Sequence, residues 1–301
     1  MNVGIMDTGA AGAKAAVSTL GGGANAINIV TLEDLGGGLR GGFDSQIRFN
    51  AASGDSNSNN SGGTALFHGL NVYVGGGFGT VRMGKIIEAS NCGFDPWACT
   101  GGAALSAGSA GISALVAAGT QQQSVSYATP TISGFSASVQ TSLSARKNER
   151  QVVSLNYAKG PLTAQLLDRQ GGANTTTAAG TAAADDNSKA RSIGVGYNFG
   201  VARLTVMNTV NKAAVTGATS ADIMSVGVTA PMGAYTLLAG YNKDKKAAAT
   251  ADTKLSVGVN YALSKRTTLG ADLFKAEGLA AVAPATGTSG TGFVIRARHT
   301  F

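Results

Sequence analysis

GFVIRARHTF, residues 292–301, closes the chain and decides how the rest of it is read. Phe293, Ile295, Ala297, His299 and Phe301 fall on one face of an extended strand, and Val294, Arg296, Arg298 and Thr300 on the other. Successive strand side chains point to opposite faces. A final strand that ends on an aromatic of its apolar face is what the closing strand of an outer-membrane β-barrel looks like. The same beat runs upstream. In KLSVGVNYAL (254–263), Leu255, Val257, Val259, Tyr261 and Leu263 oppose Lys254, Ser256, Gly258 and Asn260. LRGGFDSQIRFN (39–50), FSASVQTSL (135–143) and SIGVGYNF (192–199) repeat it. A soluble sandwich also alternates, but its water-facing positions carry far more charge than these Ser, Gly and Asn positions do.

Composition agrees. The chain has 301 residues with 44 Gly, 5 Pro, 2 Cys and 1 Trp; 44% are hydrophobic and only 13% charged. Average glycine usage of about 7% would give roughly 21, and glycine weakens helix and strand interiors alike, so a helical bundle is disfavoured. Mean hydropathy is +0.11, yet no clean run of the ~18 apolar residues that a membrane helix needs is present. The pI of about 9.5 suggests nucleic acid first, but basic runs interleaved with aromatics are missing. Met1 is followed by NVGIMDTG, already alternating, with no basic stretch and apolar core of a leader. Either a leader has been removed or the protein is not exported.

Turn spacing sets the strand number. Short turns stand at 33–38, 75–80, 129–134, 158–162, 198–201, 230–233 and 263–266. Between them lie longer polar connections at about 11–23, 53–64, 88–121, 146–149, 171–188, 213–220, 244–252 and 277–291. Seven short and eight long connections join sixteen strands, the outer-membrane arrangement of short turns on one side and long loops on the other. The reading is an all-β, sixteen-stranded antiparallel transmembrane barrel formed as one unit by residues 1–301. Tyr73, Tyr127, Tyr157, Tyr197, Tyr235 and Tyr261 lie near short turns and Tyr241 does not. The six are expected to form an aromatic girdle at the headgroup level.

With the apolar set toward lipid, the inward cations are Arg40, Arg48, Arg82, Arg146, Arg169, Arg203, Lys254, Arg296 and Arg298, against the strand acids Asp44 and Asp272. In a water-filled lumen with low-dielectric walls that excess raises the local anion concentration. Strict alternation puts Lys85 outward with Val81 and Met83 unless a bulge near Gly84 turns it. Cys92 and Cys99 flank GFDPWA; in an exported chain a disulfide closing this small loop is expected, contributing about 2–3 kcal/mol in the chain-entropy model. Residues 79–85 match most of a phosphate loop, but Ile86 replaces the required Ser or Thr. Asp55, Asn57 and Asn59 start like a calcium loop that lacks its later Gly and Glu. Neither His68 nor His299 has an acid nearby in its strand, so no enzyme, metal centre or cofactor is expected.

The turns themselves carry a resemblance. EDLGGGLRGGF (33–43), FGTVRMGK (78–85), YAKGPLTAQL (157–166), YNFGVARL (197–204), APMGAYTLLAGY (230–241), LSKRTTLGADL (263–273) and IRARHTF (295–301) resemble, in this order, the general porins of β-proteobacteria. The resemblance implies a trimeric outer-membrane barrel, a third loop (about 88–121) folded into the lumen, and passive diffusion of small hydrophilic solutes. Loop 53–64 would then reach over the neighbouring subunit. There are departures from the family pattern: NAINIVTL (25–32) lacks an arginine, His68 stands for another, and Thr120 with Gln121, Gln122 and Gln123 replaces a third basic position. The candidates for the lining and constriction are Arg40, Asp44, Arg48, His68, Arg82, Lys85, Glu88, Asp95, Arg296 and Arg298. The function expected is a diffusion channel with mild anion preference, and the alternatives are a selective channel for a neutral or acidic metabolite or a structural, adhesive barrel. Its expected partners are its own copies in a homotrimer, outer-membrane lipids and lipopolysaccharide, and small solutes and anions, not nucleic acid.

Overall fold

A computed structural model of the chain describes residues 1–7, 14–19, 25–54, 66–97, 116, 119–143, 150–171, 189–212, 219–245, 252–277 and 290–300. Strand segments dominate. The first half holds β1 (Asn2–Asp7), β2 (Ala16–Thr19), β3 (Ala26–Val30), β4 (Glu33–Gly36), β5 (Leu39–Arg48), β6 (Phe67–Gly76), β7 (Gly79–Ile87), β8 (Thr120–Ala128) and β9 (Phe135–Ser142). The second holds β10 (Gln151–Lys159), β11 (Leu162–Gln170), β12 (Lys189–Asn198), β13 (Arg203–Lys212), β14 (Thr219–Met232), β15 (Tyr235–Asp244), β16 (Asp252–Ala262), β17 (Thr267–Glu277) and β18 (Gly290–His299). The described residues contain one short helical turn, Cys92–Phe94.

All eighteen segments belong to one sheet. Every registered pair is antiparallel, and from β5 to β18 each strand pairs with the next in sequence. β18 then pairs with β1, and β1 with β2, while β3 and β4 pair with β5. The ladder therefore begins and ends on segments of one stretch, residues 16–36. Asn25 at its middle is bonded to Asn2 in both directions, accepting from the Asn2 N–H and donating to the Asn2 carbonyl. One sequence expectation is corrected here. The first long connection was read at 11–23, yet β2 lies inside it, because β1 needs an antiparallel partner and Ala16 and Val17 stand across from Met6 and Ile5.

Each of the seven short connections falls where turn residues cluster. Gly37 and Gly38, with φ of 60° and 79°, turn β4 into β5; two successive positive φ values suit a tight hairpin and favour glycine. The alternation expected of the strands is present, and its polarity is reversed relative to a soluble protein. Along β17, Leu269 and Leu273 are exposed while Asp272 and Phe274 are buried. Ile5, Val72, Leu155, Ile193, Val257 and Ile295 are exposed as well, whereas Ser154, Ser192, Thr209, Ser225 and Ser256 are buried. Exposed or half-buried aromatics crowd the short-turn ends, with ring centroids 4.6 Å apart for Phe135 and Tyr157, 4.7 Å for Tyr197 and Phe199, and 4.8 Å for Tyr235 and Tyr261.

The apolar cores are small and lie in an unusual place. One joins Trp97 to Leu238, Phe274, Ala276 and Val294; a second joins Phe94 to Met207 and Ile223; a third joins Val116 to Val152, Leu167 and Ala190. Each contains a residue of the β7–β8 connection. The core forms where that connection packs on the polar face of the sheet.

Candidate functional site

Residues 88–97 cross the polar face strand by strand. Glu88 is buried at the start, where its carboxylate takes Arg150 Nη1 at 2.6 Å and Gln121 Nε2 at 3.1 Å, with Arg169 Nη1 at 3.9 Å. Its N–H donates to the Gly119 carbonyl at 2.9 Å, which ties the two ends of the connection together. Three residues on, Asn91 Nδ2 donates to Ser192 Oγ on β12 at 2.7 Å, and Asn91 Oδ1 accepts the Val116 N–H at 2.8 Å. Arg203 Nη1 donates to the Gly93 carbonyl at 2.7 Å while its guanidinium lies 5.9 Å from the Phe94 ring centre. Asp95 Oδ1 accepts the Trp97 N–H at 2.9 Å, and Trp97 Nε1 donates to Asp272 Oδ1 on β17 at 3.1 Å. Asp272 is in turn ion-paired with Arg296, whose Nη2 reaches Asn260 Oδ1 at 2.6 Å.

Glycine makes this close approach possible. A Cβ on Gly194 would meet the Phe94 ring at 2.6 Å, one on Gly227 would meet Pro96 at 2.6 Å, and one on Gly240 would meet Trp97 at 2.6 Å. A Cβ on Gly258 would stand 3.2 Å from Trp97 Nε1. Contacts under 3 Å force something to move. At these four positions the inward phase of β12, β14, β15 and β16 carries no side chain, and the connection packs close against the backbone there.

On β5, β6 and β7 the same phase carries long polar side chains. Arg82 is ion-paired with Asp44, donates to Asn71 Oδ1 at 3.2 Å, and lies 4.9 Å from the Tyr73 ring centre. Tyr73 Oη donates to the Thr31 carbonyl at 2.7 Å. Arg48 Nε donates to Gln46 Oε1 at 2.7 Å, and Gln46 Nε2 to Asn28 Oδ1 at 2.8 Å. Arg40 is exposed at the short-turn end, across the ladder from Asp34 and Gly75.

The other candidates scatter. His68 is buried beside a register shift at the loop end of β6. Gly84, with φ of 134° and its Cβ position 2.5 Å from the Leu70 carbonyl, marks an irregularity of the kind on which the orientation of Lys85 depends. The shift, however, is toward β8. Lys85 keeps its place across from exposed Leu70 and donates to the Phe67 carbonyl at 2.7 Å, so it does not join Arg82. Arg298 lies two residues beyond Arg296 on the inward phase. Arg169 and Lys254 face inward as read, with Lys254 buried 5.7 Å from the Phe274 ring centre and within electrostatic reach of Asp95. Cys92 opens the short helical turn. Cys99 and Arg146 lie outside the described residues, as do residues 98–115 of the long connection and most of loop 53–64.

Tyr73 does not belong to the girdle. Val72 and Val74 are exposed on either side of it, so its own phase is inward, under Arg82. The girdle reading used distance from a turn where the alternation already told against it. Sequence reasoning also missed Arg150, Asn91 and the four wall glycines. The signal for the glycines was their shared inward phase on neighbouring strands; Arg150 and Asn91 sit outside any strand period.

Comparison with known proteins adds the lineage. A family model described as Gram-negative porin matches residues 1–277. The chain is 28% identical to outer membrane porin protein 32 of Delftia acidovorans, over 100% of this chain and 91% of that protein. Among solved structures it is similar to an anion-selective porin from Comamonas acidovorans, with a TM-score of 0.75 and 24% identity, over 100% of this chain and 96% of the other. It is also similar to OmpT of Vibrio cholerae in its trimer form, with a TM-score of 0.70 and 14% identity, over 100% and 97%.

Proposed function

The chain belongs to the Gram-negative porin family, and we propose that its polar face lines a water-filled outer-membrane channel for passive diffusion of small hydrophilic solutes, with a mild preference for anions. The observation that carries this is the reversed polarity of the sheet: large apolar side chains exposed, serines, threonines and charges buried. Lipid satisfies the first set, and lumen water together with the segment at residues 88–97 the second. The family and its fold are those of channels, not enzymes.

On this reading residues 1–301 are a single unit, and β2, β3 and β4 are pieces of one traverse. Counting them as one makes sixteen strands and closes the sheet, since the two ends of the ladder then share a strand. The segment near 88–121 constricts the lumen, and Cys92 is bonded to Cys99. Arg40, Asp44, Arg48, His68, Arg82, Glu88, Asp95, Arg296 and Arg298 line the pore or its narrow zone. The protein is a homotrimer built through its first strands, where β3 and β4 are exposed on both faces, and it sits among outer-membrane lipids and lipopolysaccharide.

The preference for anions follows from the inward charges. Asp44, Glu88 and Asp272 each have a cation as partner, and Arg40, Arg48 and Arg203 make no ion pair among the described residues. At about 0.1 M salt such charges act over roughly 10 Å, so the effect is modest and fades toward 1 M. Single channels in a tenfold KCl gradient give the test. An anion-signed zero-current potential is expected, moving toward cations when Arg40, Arg48 and Arg82 are together replaced by Gln. Wild-type channels that already prefer cations would overturn the assignment.

A further inference from the structure

Resting on the channel reading above, we propose that Asp44 is a specificity-determining residue that cancels Arg82, so that among the described residues of this wall the cation left without an ion pair is Arg48, with Arg40 at the rim. The alternation of β5 places Arg40, Asp44 and Arg48 on one face at intervals of four residues. At about 3.3 Å per residue each arginine is about 13 Å from Asp44, just beyond the roughly 10 Å reach of a charge at 0.1 M salt. The register then brings Asn71 beside Asp44 and Tyr73 beside Arg82. Arg82 is held from three sides, by the Asp44 carboxylate, by Asn71 Oδ1 and by the face of Tyr73. Tyr73 is itself fixed through Thr31. The pair is a neutral module of fixed geometry and not a mobile cation.

Arg48 differs in kind. Its described hydrogen-bond partner is the neutral amide of Gln46, which leads on to the neutral amide of Asn28. No carboxylate among the described residues pairs with it, and it faces the same water. Arg40 stands across from Asp34, whose carboxylate is engaged by the Gly36 N–H at 2.9 Å. Counting arginines along the phase therefore overstates the positive charge of the wall, and the acid between them sets how much is left.

The experiment compares zero-current potentials of single inserted channels, so that unfolded molecules do not contribute. D44N is expected to raise the anion-to-cation permeability ratio about twofold, and R82Q to lower it by a similar factor, at ~0.1 M salt where screening is partial. The double variant D44N/R82Q should return to the wild-type ratio, and R82K, which keeps the charge, should not leave it. R48Q should lower the ratio as far as R82Q does. A double variant that stays as cation-shifted as R82Q alone, or a D44N ratio unchanged from wild type, overturns the proposal. If wild-type channels prefer cations, the anion reading falls while opposite shifts of D44N and R82Q, cancelling in the double, still uphold the role of Asp44. Purified protein that inserts and carries no current removes both.

Discussion

Two stretches of the same inward-facing wall are built on opposite plans. On β12, β14, β15 and β16 the positions under residues 88–97 include Gly194, Gly227, Gly240 and Gly258, and protein fills the space above them. On β5, β6 and β7 the equivalent phase carries Arg40, Asp44, Arg48, Asn71, Tyr73 and Arg82, all but Asn71 exposed or half-buried. One alternation rule orients both sets. What differs is side-chain length, which decides whether a backbone can lie against the strands or whether the wall itself reaches inward. The charge pairs differ in the same way: Glu88 is 1% exposed in its ion pair, whereas Asp44 is 30% exposed in its own. The covered stretch is a packed interior and the open one is a solvated surface.

Stability measurements can break this comparison. Glu88→Gln leaves Arg150 and Arg169 against a neutral amide under the connection, and loss of one partner of a buried pair costs about 3–5 kcal/mol. A urea titration followed by the folded band on unheated gels should show it, and a loss under ~1 kcal/mol would mean that water reaches the root of the segment. Trp97→Phe keeps most of the ring but removes the donor to Asp272, a hydrogen bond to a charged group that contributes about 1.5–3 kcal/mol. The same titration reads it, and unitary conductance should change with it as the segment loosens.

The wall glycines give a sharper contrast. Gly240→Leu forces atoms into Trp97 and should destabilise by about 1–3 kcal/mol, as overpacking does. Gln46→Leu adds no such clash on the open wall, and the loss of its hydrogen bonds to Arg48 and Asn28 should cost about 0.5–1 kcal/mol, the low end for such bonds. Equal losses from the two would erase the distinction drawn between the walls. The smallest effect is expected outside both. Arg191 and Asp168 form an ion pair at 2.8 Å on the outward face with Arg191 66% exposed, and Arg191→Ala should cost only about 0.2–1 kcal/mol. A larger loss in the same assay would show that this rim is less solvated than its exposure indicates.

Much of the fold was legible before the structure. The seven turns, the strands from β5 to β18 and the inward phase of Arg82, Arg203, Lys254, Asp272 and Arg296 follow from a repeat of two residues and from turn chemistry. The expectations that needed revision share a cause. β2 was hidden because four residues are too short to show a period beside a glycine-rich stretch. Lys85 was left undecided because an irregularity near Gly84 was foreseeable but the strand it displaced was not. The groups around Glu88 and Asn91 gave little signal, since neither residue lies in a strand and their partners come from β8, β11, β12, β13 and Arg150 just ahead of β10.

By itself, then, the sequence determined which residues alternate, where the chain turns and that its polarity is inside out. These depend on one strand at a time, on the rise per residue and on the φ that a glycine tolerates. Only the tertiary structure decided that Asp44 meets Arg82 over Tyr73, that Lys85 turns to Phe67, and that ten residues of a connection cross the wall on a floor of glycines. Such contacts depend on the register between strands and on where a segment without any period comes to rest. Neither is written in the spacing of residues along a single strand.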